Sequence, residues 1–313
     1  MEKICPRCGA RFECRHDSIE SCHCTSVRLS DEQRDYIARN YSGCLCHHCL
    51  ENITTEPHPV SVRELANFLL DLSRTLMGAG AHTSRVVRNV TRIAESFGYK
   101  VDMTIFQMHI TMTIRHAGDD TIRRTSVGKI GPAAFNFDII SQTSSLSWEA
   151  HDEHLSFREL TEKYERIIRK PRISRWWVLV LVTAANACFC RLFGGDVPAM
   201  GLVAAATFVG FFVRQEMSTR HANHMAIFLI CSFIASLIAS AGFRFHLGTT
   251  PETALGTSVL FLIPGVPLIN SIFDLLEGHV LVGISRAVNA LILIVCIALG
   301  LSATLLILGL DTL

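Results

Sequence analysis

The sequence has no Gly-x-Ser-x-Gly elbow, no phosphate-cradling glycine loop and no His-Glu-x-x-His pair, so common carriers of acyl-transfer, nucleotide and zinc-protease chemistry are missing. Nothing positive remains for an enzymatic reading, and the protein is not expected to be an enzyme. An excess of charge of one sign is missing too. Its 29 Lys and Arg balance 28 Asp and Glu to a net +1, and no nucleic-acid partner is expected. No secretory leader is expected either, because Met1 to Phe12 carries cysteines and charges where an apolar core would lie. Membrane targeting is therefore expected from segments inside the chain.

Such segments are abundant: 49% of the residues are hydrophobic, and the excess falls almost entirely after Arg175. A bilayer span takes about 20 apolar residues. Five runs come close to or exceed that length: Trp176 to Phe193, Val197 to Val213, His224 to Phe243, Thr253 to Phe273 and Ala287 to Leu310. Arg169, Lys170, Arg172 and Arg175 precede the first run, Arg214 and Arg220 join the second and third, and Arg286 lies between the fourth and fifth. The opposite side holds only Arg191 and Arg244. The positive-inside bias then puts the N-terminus in the cytoplasm and Asp311 to Leu313 outside, in a multi-pass protein of the inner or plasma membrane.

The fourth run is broken at Pro264-Gly265-Val266-Pro267. Two prolines and a glycine at mid-depth free backbone groups that lipid cannot satisfy, and such breaks persist where they line an enclosed cavity. Interrupted helices build substrate and ion sites in secondary transporters; a plain proline kink is the simpler alternative. On the transporter reading, Pro264, Gly265 and Pro267 offer freed backbone groups, and Asn270 offers a hydrogen-bonding amide one turn on. Asp274 is then a proton-coupling carboxylate or an interfacial helix cap. Arg286 attracts an anionic substrate, pairs with Asp274 or Glu277, or only sets topology, and Asn289 is a weaker position of the same kind. Ser232, Ser236 and Ser240, with Ala235 and Ala239, form a small-residue seam for helix contact, and Gly201 and Ala205 read the same way.

Eight of the 12 cysteines precede residue 50: Cys5, Cys8, Cys14, Cys22, Cys24, Cys44, Cys46 and Cys49. In a cytoplasmic segment they favour reduced thiols held by metal. Cys5/Cys8 and Cys46/Cys49 have the spacing that lets adjacent thiolates share one tetrahedral zinc, and eight sulfurs suffice for two closed structural sites, so one or two zinc ions are expected. His16, His23, His47 and His48 could replace a sulfur but read more simply as surface residues. Cys188, Cys190, Cys231 and Cys296 lie in apolar runs as small packing residues.

After a linker over 53–60 with Pro57 and Pro59, Ser61-x-x-Glu64 has capping-box form and opens a helix, and a second helix ends at Gly98. Val101 to Ile105 and Met108 to Ile114 alternate in opposite parity, which predicts a bulge or strand break at Phe106-Gln107. Gly118-Asp119-Asp120 turns into a third strand, Thr121 to Val127; Pro132 opens a third helix and Ser156-x-x-Glu159 a fourth. His151-Asp152-Glu153-His154 reads as a solvated loop. The expected architecture is an α-helical membrane protein: a zinc-binding module over 1–52, a cytosolic α+β domain over 61–170, and a five-span bundle with a broken fourth helix over 171–313.

Two resemblances follow from these motifs. Cys5-Pro6-x-Cys8-Gly9, Phe12-x-Cys14, Cys22-His23-Cys24 and Cys44-Leu45-Cys46-x-x-Cys49 resemble the small cysteine-rich CWC proteins, with His23 where that family usually has tryptophan. Gly80 to Val86, Leu192 to Gly195 and, above all, Ile263 to Asn270 continuing through Asp274-Leu275-Leu276-Glu277-Gly278 to Gly283-Ile284-Ser285-Arg286 resemble the threonine/serine exporter family. His82 and Val87 stand where that family has acidic residues. The resemblance implies proton-coupled export of a small polar metabolite, a C4-dicarboxylate such as succinate or threonine/serine. It also implies a hetero-oligomer with a second small membrane subunit, since this chain ends after its fifth run. The rival class is a membrane-anchored metal or redox sensor built on the cysteine-rich module.

Overall fold

The computed structural model describes residues 2–14, 22–55, 60–106, 108–118, 120–131, 134–171 and 173–309, in two compact units, Met1–Lys170 and Pro171–Leu313. His16, Pro57, Pro59, Gln107, Asp119, Pro132, Arg172 and the tail from Leu310, on which expectations above rest, lie outside the described residues.

In the first unit, β1 (Glu2–Ile4) and β2 (Arg11–Glu13) form an antiparallel hairpin, followed by α1 (Asp31–Asn40) and α2 (His47–Thr55). Ser30 and Gln33 close a capping box on α1. A small core of Cys5, Tyr36, Leu45, Cys46, Cys49, Leu50 and Ile53 holds these elements together. α2 runs on to Thr55 because Ile53 is fully buried in this core.

A second, larger core belongs to α3 (Val62–Gly78), α4 (Thr83–Ser96), the antiparallel sheet β3 (Tyr99–Ile105), β4 (His109–His116) and β5 (Arg123–Lys129), α5 (Phe137–Asp152) and α6 (Phe157–Ile168). Leu65, Leu69, Leu72 and Leu76 recur on one face of α3, and all are fully buried. Ile105 pairs with Ile110, so the parity change is a strand break, a hairpin reversal between β3 and β4. α5 starts at Phe137, later than expected. The N–H groups of Ala134 and Asn136 bond the carbonyls of Gly78 and Ala79 at 2.8 and 3.0 Å, and the Asn136 side chain then caps the helix. Ser156 and Glu159 cap α6 reciprocally. His151 to His154 are exposed at the end of α5, where His151 bonds its neighbour Asp152.

The second unit contains α7 (Arg175–Leu192), α8 (Val197–Thr219), α9 (His224–Ala239), the short α10 (Ala241–Arg244) and α11 (Pro251–Thr257), α12 (Gly265–Leu276) and α13 (Val280–Leu308). Four helical stretches are long and apolar enough to cross a bilayer: α7, α8, α9 with α10, and α13. The segments Pro251–Leu262 and Gly265–Leu276 make a fifth candidate bent by 62°, so there are four to five candidate spans among the described residues. Ser232 donates to the Ile297 carbonyl at 2.7 Å, and Ser236 meets Thr304 at 2.7 Å. A Cβ on Gly300 would come within 2.5 Å of the Leu229 carbonyl, so α9 and α13 approach backbone to backbone. Gly201 and Ala205 are exposed instead of packed. The inward face of α8 is Val203, Ala206, Thr207 and Gly210, rotated from the expected one. Cys190 and Cys231 are buried and Cys296 half-buried, but Cys188 is exposed.

Candidate functional site

The broken segment dictates the polar geometry of the second unit. Pro264 lies at the break as the residue before α12, while Gly265 opens that helix and Pro267 sits in its first turn, where a missing N–H costs nothing. The unwound stretch therefore precedes the Pro-Gly-x-Pro motif, running from Ser258 through a 3₁₀ turn at Leu260–Leu262 to Pro264. The Gly265 N–H turns to the Ile263 carbonyl at 2.9 Å, which leaves the Phe261 carbonyl without its helical donor.

On α12, half-buried Asn270 lies one turn before Asp274, so the two share a helix face. Asp274 is fully buried, at 0% exposure, and its carboxylate is 2.8 Å from the Arg286 guanidinium, itself 14% exposed. Arg286 is thus not in a connecting loop; it belongs to the second turn of α13 and faces α12. Ser271 ties the same two helices by donating to the Gly283 carbonyl at 2.9 Å. Asn289, one turn on, is exposed and hydrogen-bonds no described residue, so the structure does not bring it to the pair.

A second polar contact was not singled out in the sequence. Asn186 of α7 is buried and donates to the Thr207 hydroxyl of α8 at 2.6 Å and to the Thr257 carbonyl, the last of α11, at 3.2 Å. The signal for it was one amide in an apolar run, because a polar group at that depth needs a partner. Arg214 also departs from its expected place. It lies within α8, is not exposed, and donates to the freed Phe261 carbonyl at 3.3 Å.

In the first unit, Cys5, Cys8, Cys46 and Cys49 place their sulfurs within 4.8 Å of one another and are positioned to bind a metal ion. Cys5 and Cys8 sit on the turn after β1, where Gly9 takes φ 73° and the Gly9 N–H bonds the Cys5 carbonyl at 2.8 Å. Cys46 and Cys49 sit at the start of α2. The Cys8 and Cys46 sulfurs are 3.7 Å apart, close to the edge of roughly 3.8 Å that a tetrahedron of 2.3 Å metal–sulfur bonds requires. Burial pushes the Cys5 thiol up, but the N–H groups of Cys46, Cys8 and Arg7 outweigh it and bring the group down to about 6. Burial, with three neighbouring thiols, pushes Cys49 well up. Four thiolates so close together need a cation between them, and an all-sulfur set of this shape fits zinc or an iron–sulfur centre.

The other four cysteines form two close pairs, Cys14 with Cys44 at 3.5 Å and Cys22 with Cys24 at 3.1 Å. Among the described residues they make no second group at ligand distance. His23 is no plain surface residue: its ring meets Phe12 edge-on at 5.3 Å and its Nε2 lies 2.9 Å from the Leu45 carbonyl. His47 and His48 are exposed, and His47 pairs with Glu51.

Apolar helices of spanning length, one bent pair and an ion pair buried between α12 and α13 mark a multi-pass membrane protein. The chain belongs to the threonine/serine exporter family. The model described as "Putative threonine/serine exporter" matches residues 67–308, and a "Cysteine-rich CWC" model matches residues 5–51. Two curated relatives carry the name "Probable succinate transporter subunit YjjP". The protein from Klebsiella aerogenes is 27% identical over 248 residues, covering 78% of this chain and 94% of its own. That from Escherichia coli K12 is 27% identical over 252 residues, covering 79% and 96%. No solved structure matches.

Proposed function

We propose that this chain is one subunit of a secondary transporter that exports a small polar metabolite, a C4-dicarboxylate such as succinate or threonine/serine, with a second small membrane subunit. The observation that carries the reading is the Asp274–Arg286 pair, buried at 2.8 Å beside a broken helix. Charges inside a membrane segment are costly enough to be kept for function. Protonation of Asp274 would cancel one side of the pair and leave Arg286 as a bare cation, which links proton movement to an electrostatic change on α12 and α13. Asn270, with its amide on the same face as Asp274, and the backbone at Pro264, Gly265 and Pro267 would complete the pathway. Asn289 is exposed one turn beyond Arg286 and fits a contact with the second subunit. The word "subunit" in both relatives' names supports such a partner.

In this reading the bent pair is one span, giving five in all, with the N-terminus and the α+β domain over 61–170 in the cytoplasm and the C-terminus outside. The module over 1–52 holds structural zinc through Cys5, Cys8, Cys46 and Cys49. Cys14, Cys22, Cys24 and Cys44 would draw together only on binding a second ion. The test is flux in proteoliposomes holding both subunits, with labelled succinate, serine and threonine, with and without a pH gradient. Flux that needs both chains and is lost in assembled Asp274→Asn or Asn270→Ala is the expected result. A folded complex that moves none of the three would overturn the reading in favour of a membrane-anchored metal sensor.

A further inference from the structure

Arg214 is a half-buried cation with no described carboxylate in ion-pair contact. Among the described arginines of the second unit only Arg214 and Arg286 are not exposed, and Arg286 has Asp274. Glu216, two residues beyond Arg214, is engaged elsewhere, 3.9 Å from Arg175 and 3.0 Å from Arg220. No described carboxylate forms an ion pair with Arg214, and its one hydrogen bond goes to the carbonyl of Phe261.

The surroundings hold the guanidinium in place without neutralising it. Its central carbon is 5.6 Å from the Phe211 ring and 5.3 Å from that of Phe228, both within cation–π range. Phe261 is seated as well: its ring meets Phe211 edge-on at 6.1 Å and lies over Gly210, where an added Cβ would come within 2.9 Å. A guanidinium has five N–H donors, and a carbonyl on one nitrogen leaves a two-pronged edge that matches a carboxylate.

We propose that Arg214 binds a carboxylate of the transported molecule, at the break between α11 and α12, and so makes the site selective for anions over zwitterions. This rests on the transporter reading above, and it adds the charge class of the substrate and the residue that reads it. Arginine is required over lysine because the fork, held by a carbonyl on one side, presents paired donors on the other.

The experiment uses the two-subunit complex in proteoliposomes, with succinate and serine as probes, comparing wild type, Arg214→Lys, Arg214→Gln and the exposed control Arg191→Gln. A second readout is the rise in melting temperature that succinate causes in the detergent-purified complex. Arg214→Gln is expected to raise the KM for succinate about tenfold or more, to leave any serine flux unchanged and to abolish the succinate-induced rise. Arg191→Gln is expected to behave as wild type. If Arg214→Gln does not assemble, Arg214→Lys carries the test, with a raised KM expected. Succinate flux with an unchanged KM in the assembled Arg214 variants overturns this inference and leaves the transporter reading standing. Wild-type flux of serine without succinate does the same. Absence of flux of either probe in wild type overturns both.

Discussion

Two places in this molecule gather groups that are costly to crowd together, and they are balanced in opposite ways. Asp274 and Arg286 carry their own neutrality, acid against base at 2.8 Å. The sulfurs of Cys5, Cys8, Cys46 and Cys49 do not, since each added thiolate repels the others. A self-balanced pair finds its counter-charge within the chain, whereas an unbalanced cluster is complete only when an ion comes from solution. Arg214 follows the second pattern with the sign reversed. Unbalanced charge, more than charge itself, marks where something from outside is expected to bind.

The largest effect should come from removing what balances the sulfurs. Stripping metal with a chelator is expected to unfold the module, since closed thiolate sites contribute on the order of 10 kcal/mol to folding. Metal content by mass spectrometry should fall together with near-ultraviolet dichroism, while flux through the membrane unit is retained. Retained dichroism after complete metal loss would break the comparison. Next comes Asp274→Asn, which leaves a buried guanidinium bare and is expected to cost about 3–5 kcal/mol and to abolish flux. Asp274→Leu with Arg286→Met should recover thermal stability without recovering flux, which separates neutrality from use. Asn186→Leu leaves the Thr207 hydroxyl and the Thr257 carbonyl unpaired and should lower stability by about 1–3 kcal/mol in thermal unfolding. The smallest change is expected from exposed Asn289→Leu, within about 0.5 kcal/mol for the isolated chain. Its effect should appear only as weaker co-purification of the second subunit.

Much of this arrangement was legible in the chain. The Cys5/Cys8 and Cys46/Cys49 spacings announced one four-sulfur group, because ligand spacing is a local property that folding only has to bring together. Ser61 and Ser156 marked helix starts for the same reason: a cap is set within four residues. Features that depend on which way a helix faces were not legible. Arg214 read as a loop charge and Gly201 and Ala205 as a contact seam, yet a rotation of about 100° per residue separates inward from outward, and apolar sequence on all sides of a span does not fix it. The delayed start of α5 depended on two bonds to the end of α3, far away in sequence.

The bend at Ile263–Pro264 has a mechanical side. Above it, α11 is held on several sides: it packs against α7, α8 and α9, and the loop before it is tied to α8 because Asp196 accepts from the Thr249 N–H and hydroxyl. Below it, α12 packs chiefly on α13. One arm is clamped and the other packs chiefly on one neighbour, so any rotation at the joint would turn α12 as a lever. A rotation of about 20° there would swing the far end of α12, roughly 18 Å away, through some 6 Å. A swing of that size is a whole helical turn of travel, delivered to Asp274 and the base of α13 by a backbone change confined to a few residues.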